Sequence, residues 1–223
     1  MRRFIRLFGT LCLAAGVLTL VWVVVVWRWQ DPFTAIYTHF EQERLAHTYA
    51  ERSRAFHAPD AGGRLAADKQ ELKADAEAYA KTLKRGDPVG RLKIPRIGLN
   101  MIVVQGTDES SLKKGPGHYI PSGLPGEGQL IYVAGHRTTY LAPFSLINEI
   151  RVGDLIRFEV PYGTFSYRVT RHYVVADTDL AVLRNGGSEI LRLQACHPRF
   201  FATHRYIVDA KLVSVAPVTT QAS

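Results

Sequence analysis

The chain has 223 residues, of which 47% are apolar and 22% charged, and its formal net charge is +8. This composition excludes a disordered or collagen-like chain, and the length fits one domain with additional segments. Four arginines and no acidic residue lie in the first 30 positions, and the remaining positive excess is spread without a Lys/Arg run. We therefore expect a membrane or cell-wall surface as a partner rather than nucleic acid. The two cysteines, Cys12 and Cys196, are too few for a zinc ribbon or a disulfide framework.

The first segment predicts a transmembrane anchor at 7–27. Its 21 residues from Leu7 to Trp27 carry no charge, and at about 1.5 Å per residue a helix of this length spans roughly 30 Å. Tryptophans gather at its end, as in an interfacial aromatic belt. The preceding residues 1–6 contain three arginines, so the positive-inside rule places them in the cytoplasm. We expect a single-pass membrane protein whose remainder is extracellular.

A cleaved signal peptide is the alternative interpretation of this segment. Such a peptide has a shorter apolar core that ends in small residues, whereas this run ends in Val-Val-Val-Val-Trp. The anchor is therefore favoured. It leaves Cys196 as the one cysteine of the exported part, and an unpaired exported cysteine suggests a reactive thiol.

Residues 28–88 predict a helical stalk. Asp31-Pro32 is a helix start, with Asp as the N-cap and Pro at the first helical position. Helices are expected over 33–57 and 64–85, and a Pro- and Gly-rich break separates them at 59–63. The balanced charge and the scarcity of Val and Ile indicate a solvated spacer between the membrane and a domain.

At Val89 the composition changes to short β-branched and aromatic runs separated by Gly and Pro, which is typical of an all-β domain. We predict a short helix over Ala142–Ile150 and an antiparallel barrel or sandwich. The expected strands are 91–94, 99–104, 129–134, 154–160, 164–175, 189–195 and 205–215.

Cys196 and His136 each follow an apolar, strand-like run, where a side chain lies at the rim of a sheet. A buried structural cysteine is the simpler interpretation of Cys196, but the neighbouring arginines favour a thiolate. A Cys nucleophile needs an imidazole partner and a group that binds an oxyanion. His197 adjoins the cysteine, although adjacent side chains of an extended chain point to opposite sides. The other histidines considered in the domain are His118, His172 and His204.

Three segments together resemble the sortase family. They are Gly135-His136-Arg137, Gln194-Ala195-Cys196-His197-Pro198 and Arg205-Tyr206-Ile207-Val208, in the family's order of His, Cys and Arg. The upstream segments Gly115–Tyr119, Leu124–Gly126 and Gly90–Leu99 are also similar to sortase sequences. The resemblance covers 89–215, which we predict to be the catalytic domain, followed by a tail over 216–223.

The resemblance implies an all-β, eight-stranded sortase-type barrel with short helices, preceded by the transmembrane helix and the stalk. It implies a cysteine transpeptidase that cleaves a C-terminal sorting signal after Thr and transfers the secreted protein to an amine of the cell-wall precursor. Cys196 is then the nucleophile, His136 the general acid and base, and Arg205 the group that binds the substrate carbonyl and its oxyanion. Arg199 fits the family pattern less well than Arg205. No cofactor and no metal are expected.

The segment before the nucleophile departs from the family, because Ala195 replaces the Thr that directly precedes the cysteine. The anchor and the Cys-His-Pro sequence look most like class E, which prefers Leu-Ala-x-Thr-Gly signals, with class D next. Asp31-Pro32-Phe33 is similar to the lid of class C enzymes, but helix capping explains it fully. Two alternatives remain, namely an inactive sortase-like binding module and a cysteine peptidase that releases its product to water.

Overall fold

The computed structural model describes residues 2–29, 32–56 and 69–216, and these contain one closed β-barrel. The barrel order is β1-β2-β3-β4-β7-β8-β6-β5. The strands are β1 (Pro88–Ile94), β2 (Leu99–Gln105), β3 (Gly117–His118), β4 (Leu130–Ala134), β5 (Leu155–Val160), β6 (Gly163–Ala176), β7 (Ile190–His197) and β8 (His204–Ala216). The helices are α1 (Arg2–Trp29), α2 (Pro32–Ala55), α3 (Lys69–Thr82) and α4 (Glu109–Leu112), with 3₁₀ turns at Pro95–Ile97, Ile147–Glu149 and Leu180–Leu183.

The seven expected strands coincide with β1, β2 and β4 to β8, which differ from the predictions only at their ends. The eighth strand, β3, has two residues and carries no sequence pattern of its own. The helix expected over 142–150 is reduced to the 3₁₀ turn Ile147–Glu149. The expected antiparallel pairing is found in six of the eight strand pairs in the described part of the chain, whereas β2 with β3 and β4 with β7 pair in parallel.

Strand β4 is buried along its whole length, since both of its faces are covered. Ile131 and Val133 point into the barrel core, whereas Leu130 and Tyr132 pack outside the barrel against Val182. Val182 belongs to the 3₁₀ turn of the β6–β7 connection, which thus covers the outer face of β4 and β8. Such two-sided burial explains why β4 is a continuous apolar run and shows no alternation.

The region predicted to be a solvated stalk is helical, but its helices pack against the barrel. Gln42 of α2 accepts a hydrogen bond from the backbone N of Ile102 (2.7 Å) and donates to the carbonyl oxygens of Ile102 (3.0 Å) and Lys114 (2.8 Å). Tyr79 of α3 is buried and donates to the Val89 carbonyl at 3.0 Å. The expectation of a solvated spacer is corrected, because polar side chains of α2 satisfy the backbone of β2 and of the segment before β3.

Several expectations concern residues that the structure does not describe. Helix α2 begins at Pro32 as predicted, but the proposed cap Asp31 and the helix break at 59–63 lie outside the described residues. The side chain of Phe33 also lies outside them, and so does the tail from residue 217 onward.

His118 of β3 is a buried histidine within the barrel wall. Its Nδ1 lies 2.8 Å from Gln105 Oε1 and its Nε2 lies 2.9 Å from the Gly123 carbonyl oxygen. Burial disfavours the imidazolium and lowers the pKa of His118 from 6.5 to about 4. The neutral ring therefore joins β3 to the loop that precedes β4.

Acidification should destabilise the fold through this residue. The unfolded chain binds the proton at pH 6.5 and the folded chain only near pH 4, so stability present above pH 6.5 is lost as the pH falls. The loss amounts to about 3 kcal/mol in total. Urea unfolding of the chain in mild detergent, followed by near-UV circular dichroism between pH 7 and pH 4, measures it. His118→Gln is the matched control and should give a flatter pH profile; equal slopes in both proteins would contradict the assignment.

Candidate active site

The parallel pairing of β4 with β7 brings His136 and Cys196 to the same rim of the barrel. Ala134 pairs with Gln194, and the backbone N of Gly135 donates to the Gln194 carbonyl at 3.0 Å. Two residues further along both chains are His136 and Cys196. β4 ends at Ala134, so His136 directly follows the paired segment, and both residues lie at the same rim of the barrel.

The antiparallel pairing of β7 with β8 adds the third residue. Cys196 and Arg205 are direct partners in this register, so their side chains leave the same face of the sheet. The structure thus brings together His136, Cys196 and Arg205, which are the three site residues predicted from the sequence. All three are half-buried.

Gly135 is required for the chain to pass from β4 to His136. A Cβ atom at this position would lie 2.6 Å from Cδ2 of Phe144, which is shorter than real Cβ contacts. The buried Phe144 occupies the space that a side chain would need. The glycine therefore lets the backbone pass close to the Phe144 ring, and His136 follows at the rim.

The His136 ring lies in a partly desolvated position beside Tyr140, with 5.1 Å between the ring centroids. Within the described part of the chain its Nε2 is buried and has no hydrogen-bond partner, so it is not bonded to the Cys196 thiol. Burial lowers the pKa of His136 and the nearby Lys113 lowers it further, while Glu109 opposes them. The imidazole is therefore neutral near pH 7 and has a free nitrogen at the site.

The Arg205 guanidinium is bonded to backbone carbonyl groups in this conformation. Its Nη1 donates to the carbonyl oxygens of Ala202 (2.7 Å), in the β7–β8 loop (residues 198–203), and of His204 (3.0 Å), the first residue of β8. The less favoured Arg199 lies on the same loop, exposed, with its guanidinium 6.0 Å from the Phe200 ring centroid. These bonds of Nη1 have to be exchanged before Nη1 can donate to a group bound at Cys196.

Ala195 lies on the opposite face of β7 from Cys196. It is buried in the barrel core and pairs with Tyr206. A threonine at this position would direct its hydroxyl into the core rather than toward the thiol. The departure from the family pattern therefore removes no polar group from the face that carries the site.

Sequence reasoning missed the role of Arg137, although it noted the residue within a motif. Arg137 is buried and donates from Nη1 to the Cys196 carbonyl (3.2 Å) and to His197 Nδ1 (2.8 Å), and from Nη2 to Asn148 Oδ1 (2.7 Å). Its guanidinium lies 5.9 Å from the Tyr206 ring centroid. This side chain joins the loop after His136 to the backbone of Cys196, and it places a permanent cation beneath the thiol. An arginine directly after a rim histidine was the available signal.

The remaining histidines have other surroundings. His197 accepts a hydrogen bond from Arg137, and its pKa is lowered by desolvation and by the Arg137 charge. The exposed His172 stacks on Tyr206, with 6.0 Å between the ring centroids. His118 is buried in β3, so none of these three competes with His136. Among the described residues, no three His, Cys, Asp or Glu side chains form a group that could hold a metal ion.

The outer face of β4, β7 and β8, below the rim, carries both polar and apolar side chains. Tyr132 donates to Gln194 Oε1 beside Cys196. Further along β7, the buried Arg192 pairs with Asp209 (2.6 and 2.9 Å) and donates to the Val182 carbonyl at 2.5 Å. Arg192, oriented by its ion pair with Asp209, therefore fixes the β6–β7 connection against the outer face of β4 and β8. Within that connection Asp179 accepts from the backbone N of Ala181 at 2.9 Å and thereby caps the 3₁₀ turn Leu180–Leu183.

Comparisons with known proteins agree with this geometry. The Sortase domain family matches residues 92–213. Sortase D of Bacillus subtilis (strain 168) is 35% identical over 134 residues, which are 58% of this chain and 66% of that protein. The chain thus spans just under two thirds of the length of this curated relative.

Solved structures that resemble this chain are also sortases. Sortase E from Streptomyces avermitilis is 34% identical, with a TM-score of 0.56, over 63% of this chain and 97% of that one. A Clostridium perfringens sortase D5 transpeptidase shares the fold at 22% identity, with a TM-score of 0.63, over 78% of this chain and 99% of that one. These relatives are compatible with class E or class D. The family match spans more than half of the chain, and the chain belongs to the sortase family.

Proposed function

We propose that this sortase-family chain is a membrane-anchored cysteine transpeptidase. It cleaves a C-terminal sorting signal of the LAXTG or LPXTG type after Thr and transfers the protein to a cell-wall amine. The observation that carries the proposal is the register that places His136, Cys196 and Arg205 on three neighbouring chain segments at one rim. These residue types are the nucleophile, the proton carrier and the anion-binding group that acyl transfer needs.

Acylation begins when the Cys196 thiolate attacks the carbonyl carbon of the signal's Thr. The tetrahedral intermediate collapses to a thioester as the C–N bond breaks, and His136 donates its proton to the leaving amine. The thioester is then attacked by the acceptor amine, whose proton passes to His136, and the thiolate leaves. The same histidine thus serves as acid and then as base, and no proton is gained or lost over the cycle.

The neutral state of His136 fits the start of this cycle. Burial lowers its pKa, so the imidazole is neutral and can accept a proton from Cys196 before attack. The unbonded Nε2 is a suitable acceptor for that proton. A negatively charged sulfur would in turn favour the protonated imidazole that the leaving amine requires.

Arg205 is proposed to bind the substrate carbonyl and the developing oxyanion. In the structure its Nη1 donates to the carbonyl oxygens of Ala202 and His204. Exchanging neutral carbonyl acceptors for a developing negative charge is favourable, because charge-assisted hydrogen bonds are stronger. The rigid fork of the guanidinium suits this role better than the point charge of a lysine.

Helix α1 is proposed to anchor the enzyme. Residues 2–25 are long and apolar enough to cross a bilayer, with a mean hydropathy of 2.3. Arginines before the span favour a cytoplasmic N-terminus and an extracellular barrel. The proposed substrates are secreted proteins with a C-terminal sorting signal, and the acceptor is an amine of the cell-wall precursor.

Quenched Leu-Ala-x-Thr-Gly and Leu-Pro-x-Thr-Gly peptides, given to the full chain in mild detergent with an amine acceptor, test the activity. We expect cleavage after Thr, joining of the product to the amine and complete loss with Cys196→Ala. Arg205→Lys should lower kcat/KM about 100-fold or more, whereas the matched Arg199→Lys should change it less than about threefold, in line with an exposed substitution.

Each other outcome has a definite meaning. Cleavage without capture of the amine would identify a peptidase. No turnover of either peptide by a folded protein with a reactive thiol would favour the binding module. Near-native kcat/KM in the Arg205→Lys protein would contradict the role given to Arg205.

Arg137 supplies a second prediction, because it interacts electrostatically with Cys196 and bonds its backbone. Arg137→Met should lower kcat/KM at least about tenfold and shift the rate of Cys196 alkylation by iodoacetamide to higher pH, since a buried cation that favours the thiolate is lost. Arg137→Lys keeps the charge and should leave the alkylation profile near its native position. Asn148→Ala removes one acceptor but retains the cation and is the matched control. Superimposable profiles for Arg137→Met and the native chain would contradict this role.

A further inference from the structure

The β7–β8 loop, residues 198–203, exposes two adjacent aromatic side chains beside the proposed active site. Phe200 is 61% exposed and Phe201 is 78% exposed. They lie between Cys196 at the end of β7 and Arg205 at the start of β8. Exposing two large apolar rings to water is unfavourable relative to burying them. Such a patch beside a functional site indicates a surface that contacts something else.

This rim also carries the loop that follows β4. Because β4 and β7 are adjacent and parallel, the chain leaves both strands at the same rim. Leu141 and Leu146, which are exposed, belong to the loop after β4. The exposed apolar residues of the two loops therefore lie at one end of these strands and flank the site.

The start of α2 contacts this same rim. The backbone N of Tyr140 donates to Thr34 Oγ1 at 3.1 Å, and the Tyr140 ring lies against His136. One turn later, Thr38 donates to the Lys113 carbonyl at 2.8 Å. The first turn of α2 is thereby fixed within a few residues of the proposed general acid.

The chain length places the rim close to the end of α1. Thr34 follows Trp29, the last residue of α1, by five positions, and five residues span at most about 17 Å. Exposed apolar side chains continue along the first turns of α2, at Ile36, Tyr37 and Phe40. If α1 crosses a bilayer, the rim lies at its surface, and the nearest apolar medium for these side chains is the bilayer itself.

The positive charge of Arg199 in this loop also fits contact with a bilayer. The Arg199 guanidinium lies 6.0 Å from the Phe200 ring centroid. Aromatic rings that reach the acyl boundary, flanked by a cation at headgroup level, are typical of membrane-interface segments. Without the three arginines before the span, the rest of the chain still carries a net charge of +5 (25 Lys and Arg against 20 Asp and Glu), which an anionic headgroup layer attracts.

We propose that the barrel docks by this rim onto the outer leaflet of the membrane that holds α1, with Phe200 and Phe201 inserted at the headgroup boundary. This inference rests on the proposed membrane anchor. It implies that Cys196 opens toward the membrane surface, so a substrate or an amine acceptor that is itself held in the bilayer reaches the thiol without leaving that surface.

Photocrosslinking tests the docked surface. The full chain, with p-benzoylphenylalanine in place of Phe201, is placed in nanodiscs of phosphatidylcholine and phosphatidylglycerol and illuminated, and lipid adducts are measured by mass spectrometry. Val213 is the matched control site, because it is 49% exposed on the same strand as Arg205 and eight residues away, or about 26 Å along the strand. We expect at least tenfold more lipid adduct from position 201 than from position 213.

A second measurement uses activity in two settings. Phe200→Asn with Phe201→Ser removes the rings, and Asn tolerates the left-handed backbone of residue 200 (φ 73°). With soluble peptides and a soluble amine in detergent, kcat/KM should stay within about twofold of native, as expected of exposed positions. Transfer to an amine-headgroup lipid in vesicles should fall at least tenfold.

Failure of the docking and failure of the anchor give different results. Extraction of the chain from vesicles by alkaline carbonate would show that α1 is no anchor and would overturn both proposals. A chain that resists extraction and turns over soluble peptide, but gives equal lipid adducts at 201 and 213, would overturn the docking alone. Crosslinks from position 201 to a second copy of the chain would also overturn it, in favour of a dimer surface.

Discussion

The proposed site depends on the parallel pairing of β4 with β7. His136 and Cys196 are 60 residues apart in the sequence, and they meet because Ala134 lies opposite Gln194 and both chains run toward the same rim. A slip of one residue in this register would turn one of the two side chains to the opposite face. The pairing is held from both sides, by core residues inside the barrel and by the β6–β7 connection outside it. Packing of the whole domain thus fixes the relative position of two reactive groups.

Much of the barrel was predictable, because its longer strands alternate or form apolar runs that end at Gly and Pro. That the three candidate residues His136, Cys196 and Arg205 lie at one rim was predictable from their positions beside such runs and from the resemblance of their segments to sortases. The two-residue β3 was not predictable, since its neighbours on both sides determine its conformation. Arg137 was not predictable in its role either, because its bonds to Cys196, His197 and Asn148 join segments that only the folded chain brings together.

The interpretation of the second segment as a solvated spacer was wrong for a related reason. Helix α2 is polar on average, and polarity usually indicates a solvated helix. Here the amide of Gln42 bonds to both the N–H and the carbonyl of Ile102, as a neighbouring strand would. The hydroxyl of Thr38 likewise bonds to the Lys113 carbonyl. Polar side chains of α2 thus bond to the backbone of β2 and of the segment before β3. The hydropathy pattern of the helix does not predict such contacts.

The contacts of Gln42 and Tyr79 also define how much chain makes up one folding unit. The family match begins at residue 92, yet a chain cut there would leave Ile102 without its side-chain partner and would lose Val89, to which Tyr79 bonds. Recombinant or chimeric versions that begin at Pro32 retain these partners. Transfer of this barrel to another protein would accordingly have to include α2 and α3, because the two helices contact its strands.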